Sequence, residues 1–157
     1  MFFHVDINSY FATMLQQENP ALRGKPIGVV KGVGRSCIIA SSNEAKTFGV
    51  KTGCRVREAR LLCPIITLVP ANFDLCLAST RKLKELFHHL CPHVDIFSLD
   101  EAFLNMTGCE ILMRQLLHSS PPLGGGGRGR CSTLEQQFGH LIQSRIKEML
   151  GTWYSAM

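Results

Sequence analysis

The sequence predicts an α+β fold, an antiparallel or mixed sheet with helices packed on one side. Three observations carry that reading. Short apolar runs bounded by turn residues recur at 2–6, 27–30, 37–40, 66–69, 94–97 and 101–105, which is the length and composition of strands. Between them, apolar residues repeat at helical spacing, most plainly across 73–90 and 132–151. A chain of 157 residues with 45% hydrophobic and 18% charged residues can close one core and is globular in composition.

Taken in order, Phe2-Phe3-His4-Val5 is a strand apolar enough to be a central one, with Asp6 at its C-terminal tip. Asn8 or Ser9 can cap the helix from Tyr10 to about Glu18, which stops before Asn19-Pro20. After a turn at 22–26, Ile27–Val30 is a second strand, and Gly32-Val33-Gly34-Arg35 makes a hairpin connection into a third, Cys37–Ala40. This G-x-G lacks the third glycine and the strand-to-helix context that phosphate binding requires. Ser41-Ser42-Asn43 caps a short helix ending at Phe48-Gly49, and a second helix runs from Val56 to Leu62, stopped by Cys63-Pro64.

Ile65–Val69 is a fourth strand. Asn72 is the expected N-cap of the longest helix, with Phe73, Cys76, Leu77, Leu83, Leu86, Phe87 and Leu90 on its apolar face. His88, His89 and His93 gather at its C-terminal end, where the helix dipole accounts for them better than a metal does. A hairpin follows at 94–105, then a short helix at 111–117 and a Gly-rich stretch at 119–131 whose composition is that of a flexible loop. Ser132-x-x-Glu135 is a capping-box pattern opening the last helix, which Gly151 ends. Thr152–Met157 reads as the start of another strand.

The formal net charge of +5 favours a polyanionic partner without demonstrating one. Lys46, Lys51, Arg55, Arg57 and Arg60 stand against a single acid, Glu58, over 46–60, either as a solvated face or as one turned to phosphates. Seven cysteines without a C-x-x-C pair argue against a zinc site and a disulfide framework, and for buried thiols in a reducing cytoplasm. The N-terminus has no basic n-region and reaches an acid at Asp6, unlike a signal peptide or a membrane span.

The most informative stretch is Ser98-Leu99-Asp100-Glu101, two adjacent carboxylates where two β segments meet in apolar surroundings. Adjacent carboxylates repel, and taking them from water is costly without a compensating cation. Hard oxygen ligands suit Mg²⁺; a solvated turn is the plainer explanation of the pair alone. If the 2–6 strand neighbours the 94–105 hairpin, Asp6, Asp100 and Glu101 converge on one rim. Three such acids suit two Mg²⁺ ions acting on a triphosphate.

Three blocks then carry a resemblance: 4–11, His4-Val5-Asp6-Ile7-Asn8-Ser9-Tyr10-Phe11; 43–53, Asn43-Glu44-Ala45-Lys46 through Gly53; and 98–103, Ser98-Leu99-Asp100-Glu101-Ala102-Phe103. In this order they resemble the signature blocks of Y-family DNA polymerases, the UmuC/DinB-like enzymes of translesion synthesis. The resemblance implies a palm at 1–23 and 65–157 with small fingers at about 24–64. Within it, Asp6, Asp100, Glu101 and the carbonyl of Ile7 would hold two Mg²⁺ ions. Phe11 matches the aromatic that excludes a ribose 2′-hydroxyl, with Tyr10 beside it on the nucleotide floor. Where the family has a Tyr and an Arg on the triphosphate, this chain has Asn43 and Lys46; Lys46 keeps the charge but not the bidentate fork.

The implied partners are primer–template DNA and a dNTP, acted on by a cytoplasmic monomer with no membrane association, and a sliding clamp stays open as a further partner. Family members continue into a thumb and a little finger that are absent here. The expectation is therefore an N-terminal palm and fingers fragment with exposed apolar surface and low solubility. A non-catalytic DNA-repair accessory domain and a non-functional gene remnant are the alternatives.

Overall fold

The computed structural model describes residues 1–32, 37–120 and 133–154. The centre of the predicted hairpin connection, most of the Gly-rich stretch and the last three residues lie outside the described residues. The chain divides into two compact units. One comprises Met1–Ile7 with Ser79–Met157, the other Asn8–Ala78.

The first unit is built on an antiparallel sheet of three strands, β1 (Phe2–Asp6), β5 (His93–Ile96) and β6 (Glu101–Asn105), in the order β1-β6-β5. Among the described residues β6 is central and β1 lies at an edge, so the expectation of a central first strand is corrected. The apolarity of β1 has another cause. Val5 is buried, and Phe3 meets Phe138 with ring centroids 5.4 Å apart, while Phe2 stays 67% exposed. Alternation along the strands puts Val5, Ala102 and Leu104 on the covered face.

Helices α5 (Glu110–Ser119) and α6 (Leu134–Leu150) belong to this unit, as does α4 (Phe73–Leu90) from Ser79 onward. The Asn72 cap of α4 forms, its Oδ1 accepting from the Leu75 N–H at 3.1 Å. The apolar face of α4 differs from the expected one. Cys76, Leu83, Phe87 and Leu90 are buried, whereas Phe73 and Leu77 are nearly half exposed and Ser79 and Thr80 are enclosed instead. At the start of α6 the capping box sits one residue later than the Ser132/Glu135 pattern. Thr133 Oγ1 accepts from the Gln136 N–H, and Gln136 Oε1 accepts from the Thr133 N–H at 3.2 Å. A Gln side chain serves at the third position as well as a Glu; Ser132 lies outside the described residues. Gly151 ends α6 with φ of 118°. Thr152 and Trp153 form a turn, not a strand.

In the second unit, β2 (Ile27–Val30) pairs antiparallel with β3 (Ile38–Ser41) and parallel with β4 (Thr67–Pro70). The strands thus form two sheets where the sequence suggested one. Helix α1 (Tyr10–Glu18) has the predicted bounds, but neither Asn8 nor Ser9 caps it with a side chain. Ser9 occupies the N-cap position in the left-handed region at φ 51°, which turns its hydroxyl elsewhere. Helix α2 (Asn43–Thr47) is capped by Ser42, whose hydroxyl accepts from the Ala45 N–H at 3.2 Å, and α3 spans Val56–Leu62. The core gathers Val30, Ile38, Ala45, Val50, Ala59 and Cys63.

All four residues of β2 are buried. At Gly28 a methyl group would stand 2.8 Å from Ile38 Cδ1 and 3.1 Å from Ile66 Cδ1. Gly28→Ala is expected to destabilise the chain by about 1–3 kcal/mol through overpacking, read as a lower denaturant midpoint at unchanged slope.

Among the described residues the cysteines form no disulfide. Burial pushes the Cys91 thiol up from its ordinary value near 9.0. A raised folded-state value contributes stability that is present below pH 9 and lost as pH rises through the folded value. Urea melts between pH 8 and 11 are expected to show this alkaline loss in the unaltered chain and less of it in Cys91→Ala.

Candidate active site: a carboxylate rim and a basic, aromatic second unit

In the first unit the β1–β6 register pairs Asp6 directly with Glu101, so both side chains leave the same face of the sheet. That face also carries Phe2, His4, Phe103 and Asn105 and is opposite to the one holding Val5 and Leu104. Asp100 precedes β6, and its carbonyl accepts from the Ile7 N–H at 3.1 Å. Asp6, Ile7, Asp100 and Glu101 are therefore brought together by one backbone arrangement.

The turn 97–100 is held from several sides. The Phe97 and Ser98 N–H groups both donate to the Glu101 carbonyl, at 3.0 and 3.2 Å. Thr80 of α4 donates its hydroxyl to the Leu99 carbonyl at 2.8 Å. Ser98 Oγ donates to Asp100 Oδ1 at 2.6 Å. On the other acid, Glu101 Oε1 lies 2.7 Å from His4 Nε2, and the His4 ring stacks on Phe103 at 4.6 Å and 15°. Sequence reading missed Thr80 and His4 as partners of the rim. Thr80 lies 19 residues before Leu99 and carried no signal; His4 was legible only once the strand register was known.

Carboxylate oxygens and a backbone carbonyl are the ligands of Mg²⁺ or Mn²⁺. Among the described residues no three His, Cys, Asp or Glu side chains form a cage by themselves. Mg²⁺ needs none, since it is commonly held by one or two carboxylates together with waters and substrate phosphates. The donor set fits. His88, His89 and His93 are exposed and take no part in such a cluster.

In the second unit Phe11 is half-buried, with its ring edge-on to Phe73 at 6.1 Å and to Tyr10 at 5.8 Å. Tyr10 is 2% exposed and donates its hydroxyl to the Cys76 carbonyl at 2.9 Å. Tyr10 is thus a core residue whose ring backs Phe11. Asn43 and Lys46 are exposed one turn apart on α2, hence on one face of it. Ser9 Oγ donates to Asn43 Oδ1 at 3.2 Å, which ties the start of α1 to α2. Lys46, Lys51, Arg55, Arg57 and Arg60 are all exposed, and none enters an ion pair with a described residue. Among the described residues no helix is long and apolar enough to cross a membrane.

Comparison with solved structures defines the class. DinB from Sulfolobus solfataricus superposes with a TM-score of 0.77 at 20% identity, over 99% of this chain and 40% of that one. A structure described as an insertion ternary complex of Dbh DNA polymerase gives 0.75 at 20% identity with the same coverage. The fold is that of the palm and fingers region of Y-family DNA polymerases. The chain itself belongs to the impB/mucB/samB family, whose sequence pattern matches residues 5–156. It is 36% identical over 104 residues to DNA polymerase IV of Gluconobacter oxydans and 39% identical over 104 residues to that of Xanthomonas campestris, in each case 66% of this chain and 29% of the relative. With DNA polymerase IV of Moorella thermoacetica it shares 39% identity over 119 residues, 74% of this chain and 28% of the relative. The matches thus span less than a third of these relatives.

Ser9 carries the one positive φ among the described non-glycine residues. Ser9→Gly is expected to raise stability by roughly 1 kcal/mol by relieving that conformation, unless loss of the Asn43 bond offsets it. Asn43→Ala measured alongside, as a thermal midpoint, separates the two contributions.

Proposed function

We propose that this chain carries the nucleotidyl-transfer centre of a template-directed DNA polymerase of the translesion type. The observation that supports it most is the register of Asp6 against Glu101, with Asp100 fixed beside them through Ile7. The family and the relatives named DNA polymerase IV point the same way.

In this reading residues 1–23 and 65–157 are palm and about 24–64 are fingers. Asp6, Asp100, Glu101 and the Ile7 carbonyl would hold two Mg²⁺ ions, whose charge would activate a 3′-hydroxyl and offset that of the leaving pyrophosphate. The contribution of the chain is placement. The paired strands set the backbone positions of the acids before a nucleotide arrives, which limits the reorganisation needed at reaction. Phe11, backed by Tyr10 and Phe73, presents a rigid ring suited to excluding a ribose 2′-hydroxyl. Asn43 offers an amide and Lys46 a charge to a triphosphate. The exposed cations of 46–60 suit a nucleic-acid backbone, with primer–template DNA as partner.

The site is tested by thermal shift with Mg²⁺ and a dNTP. A ligand that binds only the folded state raises the midpoint; the rise is expected in the unaltered chain and absent from Asp6→Asn and Asp100→Asn. A rise that persists in either variant removes that residue from the site, and a clear transition with no rise in any chain favours a non-catalytic DNA-binding role. For the basic face, Arg57→Ala and Arg60→Ala are each expected to weaken DNA binding regardless of sequence and to reduce the salt slope by about 1, measured by fluorescence anisotropy across a salt series. An unchanged slope would show that the face is merely solvated.

A further inference from the structure

We propose that Thr80 is a positioning residue for the carboxylate rim, acting through the Leu99 carbonyl. The inference rests on the metal reading above and adds to it a residue from outside the three sequence blocks. Asp100 stands between two peptide groups. The carbonyl of the following peptide, its own, accepts from Ile7 N–H at 3.1 Å and so is anchored to β1. The carbonyl of the preceding peptide, that of Leu99, accepts from the Thr80 hydroxyl at 2.8 Å and so is anchored to α4. Anchoring on both sides fixes the backbone dihedrals of Asp100 and with them the direction in which its carboxylate leaves the chain.

Asp100 N–H, on that same preceding peptide, donates to Ser98 Oγ only at 3.4 Å, a contact within the exposed turn itself. The Phe97 and Ser98 N–H groups both point to Glu101, and Ser98 Oγ bonds the Asp100 side chain from an exposed position within the same turn. Thr80 is 5% exposed on a helix whose Leu83, Phe87 and Leu90 are buried, so it is the fixed end of the contact. Thr80, Leu83 and Phe87 also line a small recess with Leu99 and Asp100. Enclosure of a hydroxyl on the apolar side of α4 is costly unless it is bonded, and here it is bonded to the peptide before a carboxylate of the rim. Loss of a partner that orients a metal ligand commonly lowers metal affinity by ten- to a hundredfold.

The test is Mn²⁺ binding to the whole chain, followed by the loss of the free-ion paramagnetic resonance signal, beside thermal melts. Thr80→Val keeps the shape and removes the donor; Thr80→Ser keeps the donor and removes a methyl group. Leu90→Val loosens the same helix without touching the bond. Thr80→Val is expected to weaken Mn²⁺ binding about tenfold or more, with Thr80→Ser and Leu90→Val within about twofold of the unaltered chain and Leu90→Val lowered only in melting temperature. The proposal is overturned if Thr80→Val binds as the unaltered chain does while Asp100→Asn loses binding. It is equally overturned if Thr80→Ser or Leu90→Val falls as far as Thr80→Val. No binding by the unaltered chain overturns the metal reading and this inference together.

Discussion

The pairing of β1 with β6 is the interaction on which the first unit depends. It joins distant stretches of the sequence, Phe2 with Asn105 at one end and Asp6 with Glu101 at the other, and continues through Ile7 N–H to the Asp100 carbonyl. The period of two along a strand makes this register decisive. A slip of one residue would send Asp6 to the covered face and bring Val5 out, exchanging an apolar contact for a buried charge. The requirement that Val5, Ala102 and Leu104 be covered therefore also fixes where the acids stand. Core and site are set by one choice.

The rim is held by contacts of two kinds. Backbone bonds from Ile7, Phe97 and Ser98 set the peptide planes, while side chains of Thr80, Ser98 and His4 hold a carbonyl and two carboxylates. Charge alone would drive adjacent acids apart, and the turn restrains them with neutral donors and one imidazole. In the second unit the problem is reversed. Five exposed cations share a short stretch without acidic partners among the described residues, which leaves their charge available to solvent or to a polyanion.

Much of this was legible in the residues. The bounds of α1 and α3 coincide with expectation because an apolar stripe runs into a stop at Asn19-Pro20 and at Cys63-Pro64. The 94–105 hairpin was legible from alternation, and the three acids from their setting in apolar sequence. The misses have physical causes. Phe2 and Phe3 made β1 read as central, yet apolarity reports burial of side chains and not the number of neighbouring strands. The capping box of α6 forms at Thr133 and Gln136, one residue on from the pattern read in the sequence, because Thr and Gln serve there as well as Ser and Glu. On α4, enclosed Ser79 and Thr80 broke the expected stripe; the Thr80 hydroxyl is bonded to the Leu99 carbonyl, so its burial leaves no donor unpaired.

The sequence by itself determined the local elements, the oxygen-only chemistry of Asp6, Asp100 and Glu101 and the basic character of 46–60, because these follow from residue type and spacing within a few turns. Only the tertiary structure decided that the strands divide into two sheets, that Asp6 stands opposite Glu101, and that Thr80 and His4 reach the rim. These depend on register and on contacts between distant segments. Such choices are made by burying whole faces at once, and no single stretch of the chain encodes them.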